Sequence, residues 1–437
     1  MKLAYALVLS LSCASLNGAV IEVAKNGANP TLQAGVDAAQ AGDDVVVKPG
    51  VFTERVIVPA GKNGLRIKAK SGAILDGFDS NGGAALTVGS DDVEVTGLTI
   101  RNAFANAALG FGILVNGNRP RIRKCQFNGC VTNNIRTKGS DPLIDDCTFR
   151  GSNAAVRIEG AGNATIEDCD FVLSAVGIAL DALGSVTVVR STFSTINFDA
   201  IQGDTSESLD VRNCKFRDIG GRCIDAEVGD DINVQKNSID NATGAFLLRG
   251  STLVVTNNAI RRIHEDVSPA IDLELGVCEV RNNVLQDCNA GTIFVGAAVT
   301  GFITKNKIQR CGSFPSAAIG VDSVANMNVG DNSIERVGGD GVRVSRGSGG
   351  GIVVVGNALK DCVRDGIDVG PQAVGVGVED NVVRRCFAEG ISNSGSNSTI
   401  TGNDVKQCRL DLANDGTATF TANTFVTGGE NVAPEID

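Results

Sequence analysis

The chain has 437 residues, 54 of them glycine, a formal net charge of −11, one histidine, two methionines and no tryptophan. An acidic chain without basic, aromatic-interleaved patches is a poor ligand for nucleic acid, and so little His and Met leaves no soft-ligand set for copper. Thirteen cysteines with no CxxC pair and no Cys/His cluster exclude an ordinary zinc site.

The chain opens with MKLAYALVLSLSCASLNGA, which has one lysine, an apolar run of about nine residues and small residues up to Ala19. This predicts a secretory signal peptide over residues 1–19, cut after Ala14 or Ala19, and export to the periplasm, cell surface or medium. Cys13 follows Ser10-Leu11-Ser12, a poor match to a lipoprotein cleavage motif. No later run reaches the roughly 20 apolar residues of a transmembrane helix.

Residues 20–77 begin the folded part. VIEVAKNG reads as a strand, and Thr31 to Ala41 as a short helix with Thr31 as N-cap and Leu32, Val36 and Ala39 on one face. Such a helix would cover the open edge of a first coil.

One pattern then repeats to the end. Its centre is an asparagine slot, filled by Asn237, Asn258, Asn283, Asn306, Asn332, Asn357, Asn381, Asn403 and Asn423. Upstream the slot holds Leu98, Cys125, Cys147, Cys169, Ser191 and Cys214, and neighbouring slots lie 20 to 27 residues apart. Ile122, Ile144, Ile166, Val188, Val211 and Val234 precede the slot by three; Phe127, Phe149, Phe171, Phe193 and Phe216 follow it by two. This alternation is the period of a half-buried strand. A second strand of the form Gly/Ala-Ile-x-Val comes later in each period: GILV at 112–115, AVRI at 155–158, GIAL at 177–180, AIDL at 270–273, GIDV at 366–369.

Short strands at a fixed period, with no helix between them, predict an all-β solenoid: a parallel β-helix of about 15 coils. Coils stacked about 4.8 Å apart place like residues one above another, so an inward Asn can satisfy its amide on neighbouring backbones and on the next Asn. Stacked Phe and Ile would fill the bore. Cys130, Cys288, Cys311, Cys362, Cys386 and Cys408 form a further column five residues after the slot. Side chains in such columns point alongside one another, so free inward thiols are expected rather than disulfides.

The stretch DDVVVKPGVFTERVIVPAGKNGLRIKAKSGAILDG, the following ALTVGSDDVEVTGLTIRNA and the V-x-I-x-x-N-x-I repeats resemble the pectate-lyase-like superfamily. The likeness covers nearly the whole chain after residue 19. It implies a single-stranded right-handed parallel β-helix, one elongated domain over residues 20–437 with 20–77 as cap and first coils. It implies no single activity, because that superfamily holds lyases, hydrolases, epimerases, tailspikes and non-catalytic surface proteins.

The resemblance also implies that the outward face of the Gly-Ile-x-Val strand is where the family's enzymes form their sugar groove. Counting from its Ile, position +3 runs Glu159, Asp181, Asp204, Glu227, Arg249, Glu274; position +1 runs Arg157, Ala179, Gln202, Asp225, Leu247, Asp272, Phe294. Four stacked carboxylates repel one another, and a calcium ion with oxygen ligands would relieve them. Asp181, Asp204 and Glu227 are thus the candidate Ca²⁺ ligands. Arg249, Asp225, Glu227 and His264 are the candidate catalytic groups. Arg157, Asp272, Glu274 and Phe294 are the candidate substrate-binding groups, with Phe294 the one outward aromatic platform. The turns Phe104 to Phe111, Ile263 to Pro269 and Cys311 to Pro315 would wall the groove, His264 with Glu265 and Asp266 in the second.

Several mechanisms can be weighed on these residues. A uronan lyase would take Arg249 or Arg157 as base. A glycosidase would take Asp225 with Glu227, or Asp272 with Glu274, about 6.7 Å apart at Cα, but the polygalacturonase Gly-His-Gly and Arg-Ile-Lys motifs are missing. An alginate-epimerase-like site needs a tyrosine, and the only one, Tyr5, lies in the leader. Two functions stay open: a non-catalytic exported scaffold that meets a glycan or a surface along an acidic, calcium-binding face, and a Ca²⁺-dependent polysaccharide lyase or glycoside hydrolase acting on an acidic polysaccharide.

Overall fold

The computed structural model describes residues 18–77, 83–103, 110–205, 207–264, 268–296, 300–312 and 317–426, of which 347–350 by backbone only. All but the last two residues of the expected leader, Cys13 included, lie outside the described residues.

The described chain is a parallel β-solenoid of about 17 turns, built from 47 strands that pair only with the coil before and the coil after. Each turn carries up to three strands. One precedes the slot (Arg121–Arg123, Leu143–Asp145, Ala164–Glu167) and one follows it (Gln126–Asn128, Thr148–Arg150, Asp170–Val172). The third is the Gly-Ile-x-Val strand (Asn133–Thr137, Ala154–Ile158, Ile271–Glu274, Ile367–Ala373), and its file is called the lateral sheet below. The turn count exceeds the expected 15 because the coils before Leu98, such as Asp44–Val47 with Gly50–Thr53 and Val56–Val58, lack the slot motif.

The corner at the slot is left-handed. The residue just before it has a positive φ in coil after coil: Lys236 (56°), Asn257 (59°), Asn282 (57°), Lys305 (57°). A second left-handed corner falls four residues after the slot, at Asn241 (64°), Arg262 (54°), Asp287 (57°) and Arg310 (53°). Asn and Asp tolerate this region best; Lys and Arg adopt it at a cost of about 1–2 kcal/mol each, offset by the pairing that the corner makes possible.

The slot then feeds a continuous hydrogen-bonded file. Asn258 donates its backbone N–H to Oδ1 of Asn283 at 2.9 Å, and its Nδ2 donates both to that oxygen at 3.0 Å and back to the Val234 carbonyl at 2.9 Å. The same three bonds recur at Asn283, Asn306, Asn332 and Asn381. Buried amides are left with nothing unpaired, as burial requires. Upstream, cysteine imitates half of this: Cys147 Sγ donates to the Ile122 carbonyl at 3.5 Å. Below it runs the phenylalanine file, with ring centroids 5.1, 4.8, 4.5 and 4.9 Å apart from Phe127 to Phe216. Such stacking contributes about 0.5–1.5 kcal/mol per pair beyond burial.

The helix α1 (Leu32–Ala38) is capped by Thr31, whose side chain accepts from the Ala34 N–H. It ends three residues earlier than the sequence reading, with Ala39 extended, and Lys62 Nζ donates to the carbonyls of Val36 and Ala39, both at 2.6 Å, at that end. At the other end Glu54 accepts from the Leu32 and Gln33 N–H groups. All twelve described cysteines are buried and unbridged. Burial pushes the thiols of Cys130, Cys214 and Cys278 up to about 12, which leaves them un-ionised and unreactive.

Two outcomes are expected. Asn306→Leu leaves the Asn283 N–H without its acceptor and should destabilise that part of the stack by about 3 kcal/mol, seen as faster hydrogen exchange over residues 280–310 with the Phe127–Phe216 coils unchanged. The twelve thiols should resist a maleimide in the folded protein, and all should react in denaturant; a subset that stays blocked would mean bridges.

Candidate functional site

The lateral sheet sets its outward side chains in vertical columns. Register pairs Gln202 with Asp225, Asp225 with Leu247, Leu247 with Asp272, Asp272 with Phe294 and Phe294 with Gly320. Two residues on, Asp181 pairs with Asp204, Asp204 with Glu227, Glu227 with Arg249 and Arg249 with Glu274. Every candidate site residue except His264 therefore lies on one face. Leu247, however, is nearly buried at 7 % exposure, so the +1 column is interrupted between Asp225 and Asp272.

The structure compensates part of the expected stack of carboxylates, at Glu159 and Asp181. Glu159 accepts from Arg136 at 2.9 Å and from Arg157 at 2.5 Å, and Arg157 also reaches Asp181 at 3.4 Å. Burial works against the Glu159 charge, but hydrogen bonds from the two guanidinium groups outweigh it and hold the carboxyl below its ordinary range. Asp225 is paired with Arg222 at 3.3 Å. Among the described residues no three His, Cys, Asp or Glu side chains converge as a metal site. Asp181, Asp204 and Glu227 are thus neighbours in a column without being a preformed Ca²⁺ cage, because outward carboxylates of a flat sheet point in parallel.

Arg249 sits between Glu227 and Glu274 and is bonded to Glu274 at 2.7 Å. That hydrogen bond, with the fields of Glu274, Asp225 and Glu227, pushes its pKa above the ordinary value. To act as a lyase base Arg249 would first have to lose a proton that the Glu274 contact helps it keep. Exposed His264 ends the strand Ala259–Ile263; its Nε2 lies 2.7 Å from Asn241 Oδ1 and its backbone N–H donates to the Ala242 carbonyl. The walls expected at Phe104 to Phe111, Ile263 to Pro269 and Cys311 to Pro315 lie largely outside the described residues.

Two features stand out on this face. An open cleft of about 300 Å³ is lined by Glu227, Arg249, Gly250, Ser251, Leu275 and Gly276, among others. Leu275 holds a left-handed φ of 71° with half its surface exposed, an arrangement that costs energy twice, in backbone strain and in apolar exposure. One coil on, the half-buried Phe294 ring lies against two glycines: a Cβ on Gly320 would sit 3.0 Å from Phe294 Cδ2, and one on Gly296 3.3 Å from Cε1. Glycine at both positions leaves room for the ring; a Cβ at either would crowd it.

Periodicity alone revealed neither the cleft, which turn residues close over Glu227 and Arg249 of the +3 column, nor the other outward aromatics. Phe198, Phe302, Phe387 and Phe420 are all at least 40 % exposed, so Phe294 is not the one outward ring expected. It is the one that sits in the +1 column.

The model of the right-handed β-helix region family matches residues 111–260 and 263–405. The chain belongs to this family. No curated protein matches the sequence. Among solved structures the β-helix is similar to bacteriophage CBA120 tailspike protein 3 (10% identity, TM-score 0.39, 91% of this chain but only 58% of the tailspike). It is also similar to PfbA, a surface adhesin of Streptococcus pneumoniae (12%, 0.36, 87% of each chain), and to the PL6 family alginate lyase AlyGC (11%, 0.39, 93% of this chain and 89% of the lyase). Likenesses this distant give no guide to activity. Among the described residues no helix is long and apolar enough to cross a membrane.

Proposed function

We propose that this right-handed β-helix is an exported, non-catalytic glycan-binding protein. A neutral saccharide would lie along the lateral sheet from the Leu275 cleft to the Phe294 ring. The observation that carries the reading is the Phe294 ring laid on Gly320 and Gly296, a flat apolar platform of the kind a sugar ring stacks on. Carboxylates of the preceding coil, Asp272 in the Phe294 column and Glu274 in the next, would accept from sugar hydroxyls. From the Glu227 coil to the Phe294 coil is three coil pitches, about 14 Å, room for several sugar units in a row. The leader expected over residues 1–19 supports export.

Local charge favours a neutral ligand. Asp225, Glu227, Asp272 and Glu274 outnumber Arg249 and Arg222 here, and a polyuronate would meet their repulsion. Both arginines offered as a lyase base, Arg249 and Arg157, are ion-paired with carboxylates, which favours their charged forms.

The test is titration with neutral oligosaccharides and polyuronates, with and without a chelator. A neutral saccharide should bind, indifferent to chelation, and Phe294→Ala should weaken binding at least tenfold, about 1.4 kcal/mol. Unsaturated ends released from any polyuronate would overturn the non-catalytic reading. Unchanged affinity in the Phe294→Ala protein would remove the platform.

A further inference from the structure

Toward the C-terminus a third column departs from the rest. Two residues before the Ile of the lateral strand, three successive coils carry Asp340, Asp365 and Glu389, each in an acid-Gly-aliphatic motif: DGV, DGI, EGI. Asp340 is fully buried and Asp365 is only 5 % exposed. The first two acids each accept a backbone N–H from the coil above: Asp340 Oδ1 from Asp365 at 3.1 Å, and Asp365 Oδ1 from Glu389 at 2.9 Å.

The cations that face this column are spent on its lower end. Arg343 and Arg364 both contact Asp340, the latter at 3.7 Å, and Arg343 also bonds Asp368 at 3.1 Å. Asp340, Asp365, Asp368 and Glu389 thus share two guanidinium groups, at a coil pitch of about 4.8 Å and mostly out of water. Two carboxylates so placed cannot both stay ionised at low cost.

We propose that the Asp340–Asp365–Glu389 column is a proton-dependent clamp on the C-terminal coils, tight when the Asp365–Glu389 pair holds a proton and loosened when it does not. Asp365 is too buried to reach a substrate, so a catalytic role is set aside. Burial first, then the hydrogen bond with Glu389 and the charges of Asp340 and Glu389, push Asp365 up to about 7; burial and the Asp340 charge raise Asp368 as well. The sign follows from linkage. The folded state holds a proton that the opened state releases, so stability falls as pH rises from about 4 to about 7 and levels off above. Ordinary Asp–Arg pairs such as Asp168 with Arg190 behave oppositely: the hydrogen bond from Arg190 holds Asp168 below its usual range, and their stabilisation is lost as pH falls.

Hydrogen exchange, corrected for the intrinsic effect of pH, reads the clamp at pH 5, 6, 7 and 8. In the intact protein, opening of the amides around Asp365 and Glu389 should rise by up to tenfold per pH unit to about pH 7 and then flatten. The coils over residues 121–172 should show no such rise. In Asp365→Asn the slope should vanish. If the intact protein shows no slope, or Asp365→Asn keeps it, the proposal fails. Should Asp365→Asn loosen these coils by itself, Glu389→Gln decides: burial keeps part of the slope, but without the second carboxyl the slope must flatten at a lower pH, and a slope that still runs to about pH 7 overturns the clamp.

Discussion

The pitch of the coil governs this molecule. Backbone hydrogen bonds fix successive turns about 4.8 Å apart, so every side chain has a vertical neighbour at a distance it cannot choose. Inward positions must then be filled by residues that tolerate a copy of themselves: phenylalanine by parallel stacking, asparagine because it is donor and acceptor at once, cysteine because its thiol is small and un-ionised. Outward positions face the same rule with charge: Arg136 stacks on Arg157, and the pair is offset by the carboxylates of the neighbouring column, Glu159 and Asp181.

Periodicity in the sequence therefore reveals the columns, and it does so for the fold and for the outward face alike. Asn258, Phe171 and the succession Asp225, Asp272, Phe294 could all be placed by counting. What counting does not give is reach between columns. Arg157 touches Glu159 in its own strand and Asp181 in the next coil, and no spacing rule says which. The coils before Leu98 were undercounted because they keep the shape without the slot motif. Lys62 closing the end of α1 joins residues 23 apart or more, beyond any local signal. The acid-Gly-aliphatic triplets were visible, but their meaning depends on burial, which only the packed coils define.

On the lateral sheet, charge pairing separates binding from chemistry. A guanidinium paired with a carboxylate, as Arg249 is with Glu274, is held in place and favoured in its charged form. Under the proposed reading, such fixed ion pairs would orient a ligand over the Phe294 ring without proton transfer.

Pairing in one dimension has a mechanical consequence. Because each coil bonds only to the one before and the one after, load applied along the axis passes through every interface in series, and the weakest one gives first. At its own two ends α1 is pinned, by Glu54 and Lys62, which ties it to the coils it covers.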